Sequence, residues 1–290
     1  MKRTGLAAIV LIVIGTATFP VAIWRSCRVE RDVAYLPNVD HAGKLDLYLH
    51  PGSTARPMLI YFHGGGWAPG QGKEGVRIWH LPFLYLGWNV ANVEYRRSDA
   101  APAPAAVEDA VCALRWIGAN AARYHVDAGR IVLMGDSAGA QLALMAGMAP
   151  DSAGFGQECP GPATPRVAAI IAWAAVTDVS GILDGPNAKP FARTWIGSRP
   201  DANEIARLVS PISYVRPGLP PIFMAHSDRD PVVPYSQALR FRDSLDRAGV
   251  ANQLMTITGA QHTQTGMAVT AHVYVMVLRF LYHEGVSLLP

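Results

Sequence analysis

Residues 130–148 read RIVLMGDSAGAQLALMAGM, and no other segment constrains the fold as tightly. Arg130–Gly135 is a short apolar run of strand length. Ala138–Met148 is a stretch of Ala, Leu and Met that favours a helix. Only the turn from Gly135 to Gly139 joins them. A buried strand that passes directly into a helix is half of a β-α-β unit. Such units build mostly parallel sheets with helices on both faces.

The rest of the chain repeats this alternation. Lys44–His50 alternates polar and apolar residues, as a strand with one wet face does, and Pro57–His63 and Asn89–Tyr95 are buried runs. Val107, Val111, Leu114, Ile117 and Ala121 recur at helical spacing and predict a helix over Ala105–Tyr124. Val167–Ala174, Pro221–Ala225 and Gln253–Ile257 read as strands, and His272–Tyr282 as a closing helix. Ala149–Arg166, rich in Gly and Pro, reads as an irregular insertion, and Gly181–Pro217 as an excursion long enough for a partial lid. With 290 residues, half of them hydrophobic and 16% charged, a disordered chain is excluded. No linker divides the body, so residues 33–290 are expected to form one α/β domain.

The net charge of +3 comes from 25 basic and 22 acidic residues. Residues 1–32 hold Lys2, Arg3, Arg25, Arg28 and Arg31 against Glu30 and Asp32, which accounts for the whole excess. The balanced body carries no basic footprint, and no nucleic-acid partner is expected. From Thr4 to Trp24 there is no charge, and Lys2 and Arg3 precede that run. Residues 1–32 therefore read as a signal peptide, or as a membrane anchor spanning residues 4–24, with a short linker. The expectation is an exported protein, periplasmic, extracellular or tethered to a membrane.

Three cysteines cannot form a disulfide framework. Cys112 falls on the apolar stripe of the predicted helix and reads as a small core residue. A Cys27–Cys159 bridge is open to an oxidising compartment, with nothing in the sequence arguing for it. No ligand spacing for a metal occurs, and no cofactor motif.

Gly135-Asp136-Ser137-Ala138-Gly139 fits G-x-S-x-G. Between a strand and a helix, this pattern sets the serine on a strained turn with its hydroxyl clear of the sheet. Serine alone is a poor nucleophile and needs a base and a carboxylate to orient that base. In the chain order serine, acid, histidine, the acid falls in His226-Ser-Asp-Arg-Asp230 and the histidine in Gly259-Ala-Gln-His262, each after a predicted strand. Asp230 is the candidate acid, with Asp228 as the alternative that geometry must decide. His63-Gly64-Gly65-Gly66-Trp67 follows another strand end. Its glycines leave backbone N–H groups open to an anionic oxygen, so Gly65, Gly66 and Ala138 are candidate donors of an oxyanion hole.

In order along residues 59–262, HGGGW, VEYRRSDAAPAPAAVEDA, RIVLMGDSAGA, SPISYV and HSDRDPVVP resemble the esterase/lipase group of the α/β-hydrolase fold. That group contains the hormone-sensitive-lipase-like and feruloyl-esterase-like carboxylesterases. Trp67 and the SPISYV segment are closer to the second branch. The stretch between the apolar segment and the glycine loop is too short for the N-terminal helical cap of the first, so no full cap domain is expected. The resemblance implies Ser137, Asp230 and His262 as a catalytic triad, Gly65, Gly66 and Ala138 as the oxyanion hole, and Trp67 at the substrate. The expected activity is hydrolysis of small-molecule carboxylic esters, short-acyl or aryl, through an acyl-enzyme. An amidase or peptidase on the same fold, and a tethered non-catalytic binding protein, are the alternatives.

Overall fold

The computed structural model describes residues 27–37, 42–73, 79–157, 159 and 164–289. The apolar segment 4–24 lies outside them. Eight strands form one sheet, β1 (Arg28–Ala34), β2 (Lys44–Leu49), β3 (Arg56–Phe62), β4 (Asn89–Val93), β5 (Val126–Asp136), β6 (Val167–Trp173), β7 (Ile222–Ser227) and β8 (Asn252–Ile257). Their order is β1-β2-β4-β3-β5-β6-β7-β8. β2 pairs antiparallel with both neighbours, and every other pairing is parallel. The sheet is thus mostly parallel, with β5 in the middle.

Because side chains alternate along a strand, the apolar runs feed two separate cores. Met58, Ile60 and Phe62 of β3 join Ile131 and Leu133 of β5 on one face, while Leu59, Tyr61, Val132 and Met134 point to the other. The helices are α1 (Leu81–Tyr85), α2 (Ala105–Ala119), α3 (Ala138–Met148), α4 (Pro190–Ile196), α5 (Ala202–Leu208), α6 (Tyr235–Arg247) and α7 (Met267–His283). α2, α3 and α6 cover the first face, with Leu114, Leu144 and Phe241 wholly buried. α1 and α7 cover the second through Phe83, Val277 and Leu281. Among the described residues, no helix is long and apolar enough to cross a membrane.

Two expectations are corrected. The boundary at residue 33 falls inside β1, whose residues from Arg28 to Ala34 pair with β2 as an edge strand. A polar strand, RVERDVA, carries no apolar signal, and its pairing follows only from the neighbouring strand's free edge. Cys112 is bonded to Cys159, with Cα atoms 4.8 Å apart, while Cys27 is free. The bond fastens the insertion after α3 to helix α2. Arg115, one turn along, reinforces it by donating to the Gly156 carbonyl at 2.8 Å and to Asp151 at 2.7 Å. Residues 174–221, between β6 and β7, hold α4 and α5 with short 3-10 turns and pack back toward the glycine loop.

Candidate active site

Four loops leave the carboxyl ends of parallel strands at one edge of the sheet, where open α/β sheets place their sites. Ser137 follows β5 directly. Its φ of 53° and ψ of −120° lie in a region that non-glycine residues avoid, at a cost of about 1–3 kcal/mol. The flanking glycines make the turn possible. A Cβ on Gly135 would stand 2.3 Å from the Gly139 backbone, and a Cβ on Gly139 would stand 2.1 Å from the Phe62 carbonyl oxygen. Neither position has room for a side chain.

His262, five residues past β8, turns its Nε2 to the Ser137 hydroxyl at 2.8 Å and its Nδ1 to Asp230 Oδ2 at 2.7 Å. The Asp230 side chain is completely buried. Its Oδ1 accepts the N–H groups of Val232 and Val233 at 2.8 and 2.9 Å, and His226 Nε2 stands 3.4 Å from Oδ2. Burial pushes this carboxyl up, but the bonds from His226, His262 and the backbone outweigh it and hold it well below the ordinary range. It therefore stays charged and keeps Nδ1 as the protonated side of the His262 ring. Asp228 is exposed and accepts the Gly259 N–H at 2.8 Å, so it braces the loop that carries His262 and does not face the ring. Geometry separates the two aspartates.

The glycine loop is fixed from several sides. Gly64 donates its N–H to Asp136 Oδ1 at 3.0 Å, and the Tyr61 hydroxyl donates to the same oxygen at 2.5 Å. Gly65 and Gly66 have φ of 121° and 63°, which a side chain would strain. Ala138, the first residue of α3, has an N–H with no partner within the helix, at its positive end. Ala138 directly follows Ser137, and the glycine loop leaves β3, the strand paired with β5.

Trp67 does not meet its expectation. The ring is fully buried, stacked on Trp195 at 4.0 Å between centroids, and its Nε1 donates to Gln141 at 3.1 Å. Burying so large an apolar ring is worth more than presenting it to solvent, and it ties the glycine loop to α3 and α4 without facing a substrate. Phe191, which the sequence patterns do not single out, packs on the outer side of the same loop. Its ring atoms lie 3.1 Å from where a Cβ on Gly66 would be, and the residue is only half-buried. It sits in the 181–217 excursion, on the two-turn helix α4, too short for a period to mark one residue above another. Gln71, exposed, flanks Gly65 on the other side.

A hydroxyl backed by an imidazole and a buried carboxylate can attack a carbonyl carbon. With this strand order and elbow, it defines an α/β-hydrolase-fold protein. A model of the BD-FAE family matches residues 45–245, and the chain belongs to that family. It is 30% identical over 288 residues to a probable carboxylic ester hydrolase, LipM, of Mycobacterium tuberculosis, covering 92% of this chain and 65% of LipM. It is also 30% identical to esterase LipQ of the same organism, covering 76% of this chain and 53% of LipQ. The chain thus spans about two thirds or less of these curated relatives. Among solved structures, a thermophilic esterase of Thermogutta terrifontis with propionate bound superposes with a TM-score of 0.71 at 26% identity, over 92% of this chain and 97% of that one.

Proposed function

We propose that the protein is a serine-dependent carboxylic ester hydrolase. The observation that carries this reading is the unbroken chain from Asp230 through His262 to the Ser137 hydroxyl, 2.7 and 2.8 Å long at its two links. Ser137 attacks the ester carbonyl, His262 takes the proton and returns it to the leaving alcohol, and the negative charge on Asp230 stabilises the imidazolium between the two steps. The N–H groups of Gly65, Gly66 and Ala138 receive the oxyanion. Water then enters, His262 removes its proton, and the acid is released. The names of LipM and LipQ support an ester substrate, and the propionate bound in the Thermogutta esterase supports a small acyl group.

The test is covalent labelling by a fluorophosphonate together with turnover of p-nitrophenyl acetate, a formanilide and a peptide p-nitroanilide. Labelling lost in Ser137→Ala and a preference for the ester are expected. An unlabelled wild type supports a non-catalytic binding protein, and an amide preference overturns the esterase reading.

We also infer export. The uncharged run from Thr4 to Trp24 behind Lys2 and Arg3 supports it, as does the Cys112–Cys159 bond, since such bonds persist in oxidising compartments. Cell fractionation, with the mass of the mature chain, distinguishes a cleaved signal from an anchor through residues 4–24.

A further inference from the structure

The Gly64–Gly65 peptide determines where the Gly65 N–H points. In a trans peptide the carbonyl and the N–H point in opposite directions, so whatever holds the Gly64 oxygen aims the Gly65 hydrogen. The His63 ring holds it, with Nδ1 2.8 Å from the Gly64 oxygen. A carbonyl only accepts, so Nδ1 carries a proton there. The other ring nitrogen is buried, lacks a hydrogen bond among the described residues, and faces Glu94 Oε1 at 3.5 Å. Glu94 and the Gly64 carbonyl thus stand at opposite nitrogens of one buried ring, and the two together set where that ring sits.

Glu94 is itself immobilised. Its Oε2 accepts the Lys73 N–H at 3.0 Å, and Oε1 accepts from Arg97 at 2.5 Å. Burial alone would raise this carboxyl, but His63, the Lys73 N–H and Arg97 together hold it below the usual range. Tyr95, the next residue, stacks on the His63 ring at 4.3 Å and donates its hydroxyl to the His63 carbonyl at 2.8 Å. The ring can neither slide nor tilt.

We propose that Glu94 is a positioning residue for the oxyanion hole, acting through the His63 ring to fix the Gly64 carbonyl and so the direction of the Gly65 N–H. The inference rests on the esterase reading given above. Neither Glu94 nor His63 need touch the substrate.

Glu94→Gln keeps the side-chain shape and the acceptor for Lys73 but removes the charge. In enzyme counted by fluorophosphonate titration, we expect kcat to fall about tenfold with KM unchanged. Losing an oxyanion donor outright costs roughly 10²–10³. Inhibition by a trifluoromethyl ketone, whose adduct places an oxyanion in the same hole, should weaken by the same factor. His63→Asn should lower kcat similarly, and Glu94→Gln added to it should cost nothing more, because both act on one carbonyl. A wild-type kcat and inhibitor affinity in Glu94→Gln overturn the proposal, as do additive effects in the double variant. If Glu94→Gln yields no titratable sites, Glu94→Asp, which shortens the side chain and retains the charge, takes its place; a lowered kcat in the wild-type background with no further loss on addition to His63→Ala supports the proposal, and equal losses in both backgrounds sink it. If the wild type neither hydrolyses esters nor labels, the esterase reading fails and takes this inference with it; an active wild type with unaffected variants overturns the inference alone.

Discussion

Asp136 Oδ1 accepts the Gly64 N–H at 3.0 Å, so the residue before Ser137 holds the glycine loop. Asp136→Ala removes this strut and should lower kcat by roughly one to two orders of magnitude, as small misplacements in a catalytic site do. Asp136→Asn keeps an oxygen for both Gly64 and Tyr61 and should stay within a few-fold of wild type. Burial, the largest influence, raises the Asp136 carboxyl. A folded value above the unfolded one means that ionisation costs stability above that value, and the cost disappears as pH falls through it. Urea melts should therefore find Asp136→Asn at least as stable as wild type at neutral pH, with the advantage shrinking in acid.

The two aspartates after β7 should separate kinetically. Asp230→Asn loses the charge behind the imidazole and favours the wrong tautomer, which should cost kcat about 10³–10⁴-fold. Asp228→Asn leaves an acceptor for the Gly259 N–H and should cost no more than a few-fold. Comparable losses in the two variants would contradict the geometry at His262.

Phe191 packs against Gly66 of the glycine loop. Trimming it to Ala should open the acyl side and move the preferred p-nitrophenyl ester from two carbons toward four to eight. Removing so much apolar contact in a pocket is worth about 1–3 kcal/mol of discrimination for each methylene newly admitted. An unchanged chain-length profile would place the acyl group elsewhere.

The Cys112–Cys159 bond closes a loop with a sequence separation of 47, for which chain entropy gives about 4 kcal/mol of stabilisation. Reduction, or Cys159→Ser, should lower the unfolding free energy by about 2–4 kcal/mol and leave kcat near wild type, because the bond joins α2 to the insertion after α3 and holds none of the loops that carry Ser137, Asp230 and His262. Melts with and without reductant, paired with initial rates, check both halves.

Much of the fold was legible because buried parallel strands must be apolar and a strand-to-helix turn needs small residues. Ala138–Met148 and Val167–Trp173 fall within a residue of where their patterns predict, and Asn89–Val93 starts where predicted and ends two residues early. Helix α7 begins at Met267, five residues before its predicted start, because its first turn is exposed and carries no core-facing period. β1 escaped for a related reason, since an edge strand pairs through its backbone and its side chains need no pattern.

Ser137 and His262 were legible as types at strand ends, because the turn chemistry and chain order are local properties. Which aspartate faces His262 is not local. Asp228 and Asp230 share one loop, and only its path, set by the Val232 and Val233 N–H groups on Asp230, turns one inward and the other to solvent. The same holds for Trp67, whose burial depends on Trp195 at 4.0 Å, and for Cys112, whose partner comes from an insertion with no periodicity. Sequence by itself determined the strands, the elbow and the kinds of residue that could do the chemistry, since each follows from short-range sterics and hydrophobic period. Tertiary structure alone decided which side chains meet, because contacts between distant segments depend on how the loops are packed.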